Sequence, residues 1–170
     1  EHARALDLIE RFFWGFTDDY LELVKGRAYG SFGSGAAGSA IGALRLALSV
    51  LLRLFAPFLP YVTEEVWSWW REGSIHRAEW PDPKELEAAS ADPADYEVAA
   101  WVLGEIRKTK ALAKRSLRTD VDRVVIRETP ERLKNLRGAE QDIAEAGKVR
   151  SFEYVEATDP SVEVDLAPQD

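Results

Sequence analysis

The stretch FAPFLPYVTEEVWSWW, residues 55–70, limits the fold more than any other part of the chain. Ile41, Leu44, Leu48, Leu51, Leu52 and Phe55 approach it at helical spacing, as a wide apolar stripe. A residue before proline is pushed out of the helical region, so a helix over Ala40–Ala56 must end at Pro57. Pro57 and Pro60 then make a tight corner. A further helix follows, ending near Glu72 with Gly73 as its stop. Glu64 and Glu65 do not form a catalytic pair, because neighbours on a helix point about 100° apart. They sit near a helix start, where the macrodipole favours negative charge. Trp67 and Trp70 share a face and are expected to anchor the core, with Trp69 left unassigned.

Upstream, Leu6, Ile9, Phe13, Phe16, Tyr20 and Leu23 recur at steps of 3 and 4, predicting one helix over Ala3–Lys25 stopped by Gly26. Residues 30–40, GSFGSGAAGSA, read as a flexible connection. They are not a phosphate cradle, which needs Lys and Ser/Thr directly after the last glycine. Residues 74–81, SIHRAEWP, read as short and extended, and 81–95 as an acidic surface connection. His76 has no partners at metal-site spacing, so a structural or exposed role is expected.

Charge is the second constraint. The net charge is −8, which on average argues against nucleic acid. Its placement is uneven: residues 107–118 hold 6 basic and no acidic side chains, between acidic stretches on both sides. They close a helix predicted over Asp95–Arg115, whose buried face is Val98, Val102, Ile106, Thr109 and Ala113. Arg107, Lys110 and Lys114 form a stripe continued by Arg118, flanked by Lys108 and Arg115. Cations do favour a helix C-terminus. Six within twelve residues exceed that need, and an anion-binding face is expected.

The tail changes character. Arg123–Arg127 reads as a strand, Thr129-Pro130 as an N-cap and first helical position, and residues to Ala146 as helix. Val149–Val155 follows, and Val162, Val164 and Leu166 alternate with acids as a half-buried strand. The expected fold is mainly α: a four-to-five-helix bundle over residues 1–118, then a small α+β appendage over 119–170.

Several classes are excluded. Cys is absent, which removes disulfides and thiolate metal sites and fits a reducing, cytoplasmic setting. The apolar run Leu46–Val62 is interrupted by Arg53, Pro57 and Pro60 and is too broken to span a bilayer, so no membrane partner is expected. No signal-peptide pattern opens the chain. No nucleophile with a base, metal cluster or nucleotide fingerprint is found, so no catalytic residue, metal or cofactor is assigned here. Met is absent and residue 1 is Glu, which suggests a piece of a longer protein. The residues alone leave two partners open: an RNA backbone, or an acidic protein surface docked by a helical interaction module.

APFLPYVTEEVW resembles the segment entering the third helix of the anticodon-binding domain in class I aminoacyl-tRNA synthetases of the valine, isoleucine and leucine group. FFWGFTDDYLELVKGRAYG resembles the first helix of that domain, and GSIHRAEWP its short stretch ending in an aromatic residue and proline. VLGEIRKTKALAKRSLRTDV is similar to its later basic helix. The resemblance covers residues 1–128 well and the tail weakly. Within the group the valyl branch fits best, with isoleucyl next and leucyl also possible. The family's HIGH and KMSKS motifs, its editing domain and the C-terminal coiled coil of the valyl branch are not found.

The resemblance implies a parent ligase that attaches valine to tRNA using ATP with magnesium. This piece would bind the anticodon stem-loop, beside the remaining synthetase domains. It also implies a groove between the polar edges of the first, second and fourth helices, cornered by the double-proline bend. Trp14, Asp18 and Arg27 are the expected base contacts, Arg45 and Arg53 line the groove, and Arg107, Lys110, Lys114 and Arg115 meet the backbone.

Overall fold

The computed structural model describes residues 1–86 and 93–168. The chain opens with α1 (His2–Gly15), one π-helical turn (Phe16–Tyr20) and α2 (Leu21–Ala28). These are the single helix predicted over Ala3–Lys25, widened at one turn. That turn changes which side of the helix faces inward. Upstream, Phe13 meets Phe55 edge-on, with ring centroids 5.6 Å apart. Downstream, Leu23 and Val24 are buried.

α3 (Ser34–Phe55) starts six residues earlier than expected. Only the turn before it is irregular, with Gly30 and Gly33 at φ of 87° and 89°, a region that favours glycine. The small residues read as a flexible connection instead form its first turns, and the small Ala40 is buried. Packing of α2 on α3 overrides the weak helix propensity of Gly and Ser. By length and composition alone α3 could cross a membrane. It carries Arg45 and Arg53, and it packs on α1, α2 and α4 (Pro60–Ser68).

The double-proline corner forms as expected. Leu59 leaves the helical region (φ −125°, ψ 59°), and Pro60 takes a first-turn position of α4. A small core of Ala56, Trp67 and Ile75, with Leu52 and Trp70 against it, fills the angle. α4 ends four residues before Glu72. Glu64 accepts hydrogen bonds from Ser74 Oγ and Ile75 N, each 2.9 Å. These bonds draw residues 75–77 into a 3-10 turn rather than the extended run expected there. Trp69 lies on the surface and donates to Glu65 at 3.2 Å. His76 is exposed, its Nε2 3.2 Å from the Pro60 carbonyl oxygen.

α5 (Pro93–Leu112) buries Val98, Val102 and Ile106 as predicted, whereas Ala113 is exposed. The helix closes early because Lys114 takes a left-handed conformation at φ 54°. Arg115 N then donates to Lys110 O (2.8 Å) and Lys114 N to Ala111 O (3.0 Å), a Schellman closure made without glycine.

β1 (Val121–Glu128), α6 (Pro130–Gly147), β2 (Phe152–Glu156) and β3 (Ser161–Leu166) complete the chain. The sheet order is β2-β1-β3, with β2 parallel and β3 antiparallel to β1, so α6 is the crossover of a βαβ unit. Thr129 is the N-cap residue of α6, but its side chain makes no cap bond. The buried Glu128 accepts from Thr129 N instead, at 2.6 Å. The outer sheet face is laced by ion pairs from Arg123 to Glu153 and Asp165 and from Arg127 to Glu163.

The expected boundary at 118/119 marks the change from helix to strand. The main core continues across it, joining Leu23, Val102 and Ile106 to Val124, Leu136 and Ile143.

Candidate nucleic-acid interface

Four of the nine candidate residues are consumed by the fold. Arg27 of α2 donates Nε to Asp142 of α6 at 2.6 Å, and its Nη2 bonds the other carboxylate oxygen. That hydrogen bond raises the Arg27 pKa, and burial raises that of nearby Tyr20. Arg53 is held in two bonds by Glu85 (2.6 and 3.0 Å) and also donates to the Ser49 carbonyl. The Arg53 guanidinium, helped by Asp82 N, holds the Glu85 carboxyl at about 2. Arg107 pairs with Asp19 of the π turn at 3.0 Å.

Lys110 departs most from expectation. A stripe at helical spacing put it on the basic surface, yet it is 1% exposed. Its ammonium donates to Leu117 O (3.0 Å) and Gly147 O (2.8 Å), and burial lowers its pKa. The reason is the helix that covers it: α6 packs along α5, and sequence spacing does not reveal which side of α5 it takes. Lys110 ties the segment after α5 to the close of α6, and its ammonium is buried away from any phosphate.

The remaining five face solvent in whole or part. Trp14 is 59% exposed, touching Phe13 edge-on. Asp18 is exposed four residues further on. Arg45 and Lys114 are exposed, and neither side chain has a partner among the described residues. Arg115 is half-buried and donates to Ala167 O at 3.2 Å.

These groups do not share the single groove that was expected. Arg45 lines a cleft of about 430 Å³ with Ser49, Trp70, Arg71 and Glu85, on the inner side of the corner. Arg115 lines a separate cleft of about 470 Å³ with Arg118, Thr119 and Arg150. The basic end of α5 is therefore built into the sheet side of the molecule, through Gly147 and Ala167, and not against the corner.

Sequence reasoning missed Arg71. Its guanidinium lies 4.7 Å from the centre of the Trp70 ring and 5.8 Å from that of Trp67. Arg71 lies beyond the end of α4, so helix spacing does not account for the contact; the only signal was a cation directly after a tryptophan pair. Nothing in the sequence marked Arg150. Among the described residues no group of three or more His, Asp or Glu could hold a metal ion.

The family described as "Anticodon-binding domain of tRNA ligase" matches residues 1–126. The chain belongs to this family of anticodon-binding domains. Its relatives include a valine–tRNA ligase of Thermobifida fusca, 49% identical over 99% of this chain and 19% of that protein. Those of Salinispora arenicola and Cutibacterium acnes are each 45% identical, over 94% and 95% of this chain and 20% and 19% of theirs. The domain thus spans about a fifth of the length of the curated relatives it matches. The family match runs through the bundle and into β1, and the longer alignments also take in most of the tail.

Proposed function

We infer that the chain is the tRNA anticodon-arm-binding part of a valine–tRNA ligase, a cytoplasmic enzyme that uses ATP with magnesium to join valine to its tRNA. The rest of that enzyme would perform the chemistry. This piece supplies grip on the RNA and contact with the other synthetase domains. The observation that carries the reading is where unpaired positive charge remains in a chain of net charge −8. Four of the ten bundle arginines, Arg11, Arg27, Arg53 and Arg107, are paired with acids, whereas Arg45 and Arg71 share a cleft with the Trp70 indole and Lys114 stands unpaired after α5.

An indole with a neighbouring guanidinium suits an unstacked loop base, which needs a flat apolar surface and a polar edge. Trp14 at the close of α1 and Asp18 in the π turn offer a second flat surface, here with a carboxylate as the polar edge. Lys114 and Arg115 meet the backbone. Arg27, Arg53, Arg107 and Lys110 support the surface from within.

The test uses the full-length ligase carrying this chain and a panel of tRNA anticodon variants. Trp14→Ala and Arg45→Ala should each weaken binding of the valine tRNA. The loss at Trp14 should be about 1–3 kcal/mol if a base stacks there. Affinity unchanged by both, with no preference across the panel, overturns the reading.

A further inference from the structure

We propose that the cleft between the close of α5, the α6–β2 turn and the end of β3 is a second RNA-backbone site, with Arg118 as its phosphate-binding residue. This rests on the tRNA reading above and extends it to the sheet side of the molecule. Arg115, Arg118, Thr119, Asp120 and Arg150 line the cleft, with Ala167 and Pro168 at its edge. Three arginines face one aspartate, in a chain that is acidic overall.

The three arginines are not equivalent. Arg150 is held by Asp120 (2.8 Å) and Asp122 (2.6 Å), and Arg115 by the Ala167 carbonyl. The Arg118 guanidinium is exposed and has no partner among the described residues. Its segment is nonetheless fixed. Arg118 N donates to Ser116 Oγ at 3.2 Å, and Thr119 N to Ser116 O at 3.0 Å. From beneath, the Lys110 ammonium ties Leu117 O to Gly147 O, locking this turn to the close of α6.

A free guanidinium on a fixed turn suits an anion, because the backbone is already ordered and only the side chain loses freedom on contact. Its planar donors match two oxygens of a phosphodiester. The Thr119 hydroxyl and the spare donors of Arg115 and Arg150 line the same space. An acidic peptide fits less well. Peptides anchor through apolar or aromatic side chains, and the lining offers only Ala167 and Pro168 for them. The cleft shares no residue with the one at Trp70, so the two would hold different stretches of one RNA.

The experiment measures tRNA affinity of the full-length ligase across a KCl series for Arg118→Ala, Arg118→Lys and Arg118→Glu, with Arg45→Ala alongside. An exposed, unpartnered side chain can be changed without unfolding the protein, which unchanged melting temperatures would verify. Arg118→Ala should lower the slope of log K against log salt by about 0.7–0.9, one phosphate contact. Arg118→Lys should keep most of the slope, and Arg118→Glu should weaken binding further.

If Arg118→Ala and Arg118→Glu match the parent while Arg45→Ala binds more weakly, this site is overturned and the tRNA reading stands. If Trp14→Ala, Arg45→Ala and Arg118→Glu all leave tRNA binding intact, with no preference across the anticodon panel, both fall. Poly-L-glutamate that binds the parent and not Arg118→Glu, with the tRNA slope unchanged, assigns the cleft to an acidic protein and overturns the RNA site.

Discussion

Arg27 shows how a residue suited to recognition can be used up by folding. It and Asp142 are 115 positions apart, and their bidentate pair joins α2 to α6. The Asp142 side chain is 7% exposed, so removing its partner strands a buried carboxylate. Arg27→Met should therefore cost about 2–3 kcal/mol in urea unfolding. That is below the about 3–5 kcal/mol of a fully buried pair, because the Arg27 side chain is about a third exposed. The tRNA affinity of the folded variant should be unchanged. A lost affinity with an unaltered urea midpoint would return Arg27 to the list of base contacts.

The Arg53–Glu85 pair is diagnostic through its protons. Glu85 titrates at about 2 in the folded chain, against about 4.3 for a free glutamate. A depressed carboxyl pKa stabilises the fold above the unfolded value, and that contribution is lost as the pH falls from there through about 2. An NMR titration of Glu85 should give a midpoint near 2, moving up toward the free value in Arg53→Met. A midpoint that does not move would show that Arg53 is not the cause.

Among the elements, the π turn has the least sequence signal and a large structural effect. Periodic apolar residues from Leu6 to Leu23 predict a regular helix, and every residue there is compatible with one. The extra residue in the turn lets Phe13 reach Phe55 while Leu23 enters the main core. Deleting Thr17 should restore an α turn with Phe13 and Leu23 still on the faces they hold now, because the wide turn absorbs one extra residue. Helix content by circular dichroism and the urea midpoint should both persist. A loss beyond the about 0.5–1.5 kcal/mol of an edge-on ring pair would mean that the π turn itself has a packing role. α3 makes the complementary point. Its first six residues look like a linker in isolation, yet they are helical in an element that packs on α2.

For the molecule as a whole, the important fact is that bundle and appendage share a core. α5 packs more extensively on α6 than on any other helix, and Val98, Val102 and Ile106 lose their cover without it. A chain ending at residue 118 should lack a cooperative urea transition, whereas the 170-residue chain should unfold in one step. A cooperative transition in the shorter chain would establish the bundle as an independent unit. The same shared core explains why the basic end of α5 belongs to the sheet side: Lys110 and Arg115 are bound to carbonyl oxygens of Gly147 and Ala167.

Much of this was readable before folding. Periodicity gave the helices, alternation gave β3, Pro57 and Pro60 gave the corner, and the quoted segments gave the family resemblance that the match over residues 1–126 supports. The candidate site was less readable. The residue types that recognise RNA are also those that pair inside proteins, and spacing along one helix does not say which neighbour covers it. Local sequence determined where helices and strands form, because backbone preferences and apolar periods act over a few residues. Only the tertiary structure decided which cations stay free, because neutralising Arg27, Arg53 and Arg107 and burying Lys110 took partners from elements brought together by packing.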